Sequence, residues 1–331
     1  MRKAALLFGL CALTASLLVP RAAHAQQSHL LVITGSTGEP KYGQLFHEWA
    51  AKLITGATTK HGVPAANVVY LTEDPAIGGS RAAKASKENV EKAFSDLAAK
   101  TKTGDVVVVV LIGHGSYQAG QARFNLPGPD LTAADYHKLL NQLPDRKIGF
   151  VNAASASGAF MATLSAPGRT VVTATRSGNE GNETIFAKFF SEAYSGDGAD
   201  ADKDGKVSLL EAYTYAATEV ERWYGEQNRL MTEHAQLEDD GDSKAVSKPD
   251  GRTGDGVFAR GLVLGGVPVA VTNNPELKAL YDTKRGIEEK INTLRGMKPR
   301  MEAAVYEREL EKLLVELAET NQKIKQLETK K

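Results

Sequence analysis

Two apolar runs limit what this chain can fold into. Val106-Val-Val-Val-Val-Leu-Ile112 contains no polar residue, and Ile148-Gly-Phe-Val151 is nearly as plain. A strand with one wet face alternates polar and apolar residues. A run apolar at every position is covered on both faces, as in the centre of a parallel sheet. The β-branched content fits an extended pleated surface. Each run ends in small residues carrying a reactive side chain. The first closes on Gly113-His114-Gly115 and the second on Ala153-Ala-Ser155-Ala-Ser-Gly158. Open α/β sheets hold ligands at the carboxyl ends of their strands. His114 and Ser155 are therefore candidates for one site, with a purely structural histidine as the plainer alternative.

The rest of the chain alternates in the same sense. Strands are expected at 28–34, 67–72, 106–112, 147–153 and 169–175. Helices are expected at 43–55, 86–101, 132–143, 157–164 and 184–194, with another after residue 208. This β-α order predicts an α/β fold: a mostly parallel sheet with helices on both faces. Residues 237–256 read as an exposed loop and 258–271 as a closing strand. From Pro275 the pattern changes. Leu277, Leu280, Ile287, Ile291 and Leu294 recur at threes and fours, Gly296-Met-Lys-Pro299 interrupts, and Leu310, Leu313, Leu317, Ile324 and Leu327 continue. A C-terminal helical hairpin or coiled coil is expected, with a single charged helix as the alternative.

The His and Ser segments resemble those of the caspase/legumain-type cysteine peptidases, where one strand ends in His-Gly and the next in Ala-Cys-x-Ser-Gly. The resemblance covers about residues 28–220. Gly38-Glu39-Pro40-Lys41-Tyr42 and Thr173-Ala-Thr-Arg-Ser177 look like bacterial members of the group. It implies a caspase/haemoglobinase-like three-layer sandwich. It also implies that His114 is the general base or acid and that Gly115 helps form the oxyanion site. Ser155 stands where the family has its nucleophilic Cys. A thiol ionises readily beside an imidazole, whereas an alkanol needs a base oriented by a third group. Two functions follow. One is a pseudopeptidase that binds a peptide or protein. The other is a hydrolase with Ser155 as nucleophile and His114 as base.

Asp200-Ala-Asp-Lys-Asp-Gly-Lys-Val-Ser-Leu-Leu-Glu211 fits the spacing of an EF-hand loop. Asp200, Asp202 and Asp204 supply oxygens at positions one, three and five, and Gly205 makes the sharp turn. Lys206 offers its carbonyl, Ser208 stands at position nine, and Glu211 at twelve can bind through both oxygens. A structural calcium ion is expected, against the alternative of an acidic helix-entry turn. Glu238-Asp-Asp-Gly-Asp242 is dense in acid without such spacing and reads as solvated. His234 reads as a ligand or as merely exposed.

Residues 1–25 read as an export signal. Arg2 and Lys3 precede the apolar stretch 4–19, and Ala23-His24-Ala25 fits a small-x-small cleavage site. A membrane anchor is the alternative, disfavoured because the stretch is short. The single cysteine, Cys11, lies inside this segment, so the exported chain would have no thiol chemistry and no disulfide. The destination would be periplasmic or extracellular. The 331 residues carry zero formal net charge, which gives no sign of a nucleic-acid partner. The expected organisation is a signal at 1–25, an α/β domain at 26–272 and a helical hairpin at 273–331, through which a partner or a second copy could bind.

Overall fold

The computed structural model describes residues 26–79, 82–202, 204–265, 275–297 and 301–328. The expected signal at 1–25 lies outside the described residues. In chain order the elements are β1 (Ser28–Thr34), α1 (Pro40–Thr55), β2 (Val68–Thr72), α2 (Pro75–Gly78), β3 (Ala82–Lys84), α3 (Lys87–Lys100) and β4 (Val106–Ile112). A small hairpin region follows with β5 (Gly115–Gln118), β6 (Gln121–Phe124) and β7 (Leu131–Thr132). Then come α4 (Ala133–Leu140), β8 (Lys147–Asn152), α5 (Met161–Leu164), β9 (Arg169–Thr173), α6 (Phe186–Ser195), α7 (Leu209–Glu226), β10 (Gln236–Glu238) and α8 (Val257–Arg260). The chain closes with α9 (Pro275–Met297) and α10 (Ala303–Glu328).

Seven strands form one sheet in the order β10-β9-β8-β4-β1-β2-β3. All pairs are parallel except β10 with β9. The mostly parallel α/β architecture expected from the two apolar runs is therefore present. Alternate residues of β1 and β4 face opposite ways. Leu30, Val32, Val106, Val108 and Val110 join Phe46, Trp49 and Leu53 of α1 and Phe186, Phe190 and Tyr213 of α6 and α7. Leu31, Ile33, Val107, Val109 and Leu111 join Phe94 of α3, Tyr136 of α4 and Leu164 of α5. Burying such a side chain contributes about 1.5–3 kcal/mol, so two-sided burial favours this register over a shifted one.

Three segments differ from their expected states. Leu237, expected in a loop, belongs to the edge strand β10, which three residues are too few to announce. Residues 258–260, expected as the start of a strand, lie in the single helical turn Val257–Arg260, and 266–271 lie outside the described residues. The hairpin β5–β6–β7 follows β4 where the sequence showed only a connection. α9 and α10 pack together through Ile287, Ile291 and Leu317. No helix among the described residues is long and apolar enough to cross a membrane.

Candidate active site

From β1 the chain passes toward β2, and from β4 it passes the other way, toward β8. The loops after β1 and β4 therefore diverge and leave a crevice at the carboxyl edge, the usual ligand position of open α/β sheets. His114 lies in that crevice. Gly35 N donates to Ile112 O at 2.9 Å, and Ser36 N donates to Asn125 O at 2.9 Å. Asn125 N donates to His114 O at 3.0 Å. Asn125, on the missed hairpin, thus ties both loops together. Gly35 has no room for a side chain, since a Cβ there would sit 2.4 Å from Asn125 O.

The half-buried imidazole of His114 meets the edge of two rings. Tyr42 lies 4.7 Å away at 88° and Phe46 5.3 Å away at 66°. The Tyr42 hydroxyl donates to Glu183. Burial among these groups holds the His114 pKa below its ordinary 6.5. A hydrogen bond to the Thr37 backbone and the charges of Glu183 and Glu39 pull the other way. The ring is therefore neutral at pH 7 and able to accept a proton.

Ser155 is placed by the turn after β8. Ala153 N donates to Leu111 O at 2.9 Å, and Ala154 N donates to the Asn152 side chain at 3.1 Å. Ala156 then takes a left-handed φ of 54°, a strained conformation for a residue with a Cβ. The loop after β9 holds it there: Ala156 N donates to Glu180 O at 2.8 Å, and the Thr184 hydroxyl donates to Ala153 O at 2.6 Å. Glu180 is fixed in turn by His234, whose Nδ1 lies 2.7 Å from its carboxylate. His234 is thus a hydrogen-bond partner of Glu180 in this loop.

The Ser155 hydroxyl is engaged locally. Its Oγ accepts from Gly115 N at 3.1 Å and donates to Gly115 O at 3.1 Å. Ser155 is 4 % exposed. Gly115, expected to offer its amide to an oxyanion, spends that amide on Ser155. A Cβ on Gly115 would lie 2.4 Å from Ser155 O, so glycine is required for this close approach. Tyr42 was marked in sequence only within the stretch Gly38–Tyr42, and Thr37, Phe46 and Glu183 not as site residues. They come from other elements, and only the strand order brings them to His114.

The acidic loop sits between α6 and α7. One carboxylate oxygen each of Asp200, Asp202 and Asp204 lies within 4.8 Å of the others. Gly205 has φ 83° and donates its N–H to Asp200 at 3.0 Å. Lys206 N donates to Asp204 at 2.8 Å. Glu211 is turned back across the loop. It accepts from Ala201 N at 3.0 Å and from Ser208 N at 2.9 Å, while Ser208 caps α7. The three aspartates are therefore gathered as expected, and Glu211 is held at the loop's closing end by backbone donors. Four residues, Gly196–Ala199, separate α6 from the loop, so the first helix does not run directly into it.

No family model matches the chain, and no curated protein matches it. Solved structures do. Protein GSU0716 from Geobacter sulfurreducens is 11% identical, with a TM-score of 0.42 over 68% of this chain and 95% of that one. The protein drICE is 10% identical, with a TM-score of 0.37 over 61% of this chain and 86% of the other.

Proposed function

We propose that this chain is an exported, caspase/legumain-like pseudopeptidase that binds a peptide or protein in the crevice beside His114 and Ser155. The observation that carries this reading is the closed hydrogen-bond pair between the Ser155 hydroxyl and Gly115. A nucleophile must give its proton to a base and leave an amide free for the developing oxyanion. Here the proton points at a peptide carbonyl, and the amide that would stabilise the oxyanion is taken. Export rests on residues 1–25. A calcium ion bound by Asp200, Asp202, Asp204, the Lys206 carbonyl, Ser208 and Glu211 would pin the loop into α7. Glu211 would exchange its backbone donors for the ion.

A second reading, a hydrolase using Ser155 and His114, has one observation in its favour. His114 is kept neutral, with the Thr37 backbone behind it, which suits a general base. A fluorophosphonate probe decides between them. The unmodified chain is expected not to label. Labelling at Ser155 that disappears in His114→Ala would sink the pseudopeptidase reading and establish the hydrolase.

A further inference from the structure

The segment after β10 gathers carboxylates at the amino-terminal edge of the sheet, opposite the crevice of His114. Glu238 pairs with Val171 at the middle of β9, and the chain leaves the sheet beyond it. Asp239 turns inward and is spent on the backbone. It accepts from Gly256 N at 2.9 Å and from Ala259 N at 2.7 Å. Asp255 accepts from Asp239 N at 2.8 Å. Glu238, Asp240 and Asp242 border the following turn, where Asp240 Oδ1 accepts from Asp242 N at 3.0 Å and Asp242 Oδ1 accepts from Lys244 N at 2.7 Å. Gly241, with φ 84°, reverses the chain and folds the two aspartates back toward Glu238. One oxygen of each of the three lies within 4.8 Å of the others. Three oxygens this close can converge on one ion at the distance of calcium–oxygen coordination, about 2.3–2.6 Å, with small side-chain movements.

The observation that points to a ligand is Glu238 itself. It is 0 % exposed, and its Oε2 has no hydrogen-bond partner. Its Oε1 accepts from Gly241 N at 2.6 Å. A buried carboxylate oxygen without a partner is costly, and burying the charge costs more. The buried cation facing it is Arg169 on β9. That guanidinium donates to Leu164 O at 2.7 Å and to the Asn141 side chain at 3.1 Å. The Lys244 ammonium lies 3.2 Å from Asp242 Oδ2, on the exposed side. Lys147 and Arg252 border an open cleft beside Asp240.

We infer that Glu238, Asp240 and Asp242 form a binding site for a hard divalent cation of the calcium type, separate from the loop Asp200–Glu211. The ion would satisfy Glu238 Oε2, relieve the mutual repulsion of the carboxylates and clamp the three-residue edge strand β10 to the sheet. The inference stands apart from the peptidase reading and from the calcium proposed in the first loop.

Calorimetric titration of the chelator-treated full chain with calcium chloride tests it. Two equivalents are expected. Asp240→Asn with Asp242→Asn changes only exposed side chains and should lose one equivalent while circular dichroism stays native. Glu211→Gln should lose the other. If the chain binds one equivalent that survives Glu211→Gln and vanishes in the double variant, the inference stands and the first-loop reading falls. No calcium uptake, or uptake unchanged in the folded double variant, overturns it. Hydrogen exchange on the unmodified chain is a second readout that needs no variant. Calcium should slow exchange at Leu237 and Glu238, and no slowing at these amides would also overturn the inference.

Discussion

Ser155 and Glu233 show how a side chain's chemistry changes with what the backbone offers it. Ser155 closes on Gly115 because a left-handed Ala156 and the clamp from Glu180 leave it no other direction. Glu233 is 1 % exposed and accepts from Ile185 N at 2.9 Å and Phe186 N at 3.2 Å at the start of α6. Burial outweighs those donors and pushes its carboxyl from its ordinary 4.5 up to about 7. Between these values the folded chain holds a proton that the unfolded chain has released. Glu233 therefore stabilises the fold most fully below pH 4.5, and that contribution is lost as pH rises through 7. Glu233→Gln should flatten this part of the profile. Urea unfolding at pH 5 and pH 7.5 should show the unmodified chain losing more stability over that interval than the variant; equal losses would refute the assignment.

At the scale of elements, strands were the most legible part of the sequence. β1 and β4 fall on their expected residues because a run buried on both faces is apolar throughout. Helix positions followed from periodicity, within a few residues at the ends, where caps such as Thr132 and Ser208 decide the start. β3, β10 and the β5–β7 hairpin escaped notice. Short strands bury few residues, and β10 pairs with β9 far back in the sequence. The contact between β5 and the turn after β8 is one such distant pairing. Gly115→Ala would press a Cβ onto Ser155 O, which is backbone and cannot swing aside. The expected cost is about 1–3 kcal/mol, read by chemical unfolding, together with loss of peptide binding in the crevice. A stability change within about 0.5 kcal/mol, as for an ordinary surface substitution, would refute the close approach.

For the molecule as a whole, α9 and α10 have a small core of their own in Ile287, Ile291 and Leu317. Deleting residues 275–331 is expected to leave the circular dichroism and melting temperature of the α/β part unchanged and to alter oligomeric state or partner binding. Unfolding of the shortened chain would make the hairpin part of the main core. By itself the sequence determined the fold class, the positions of the central strands, and that His114 and Ser155 end neighbouring strands, because burial on both sides writes itself into local composition. It also marked the aspartates of the first acidic loop, whose alternating spacing is local. Only the tertiary structure decided that β1 and β4 flank the switch point, that Thr37, Tyr42 and Glu183 surround the imidazole, and that the Ser155 hydroxyl is spent on Gly115. It also showed that Glu238 is buried beside Asp240 and Asp242, where a solvated loop was expected. These depend on strand order and on which backbone groups meet across the sheet edge, and no local pattern of residues encodes them.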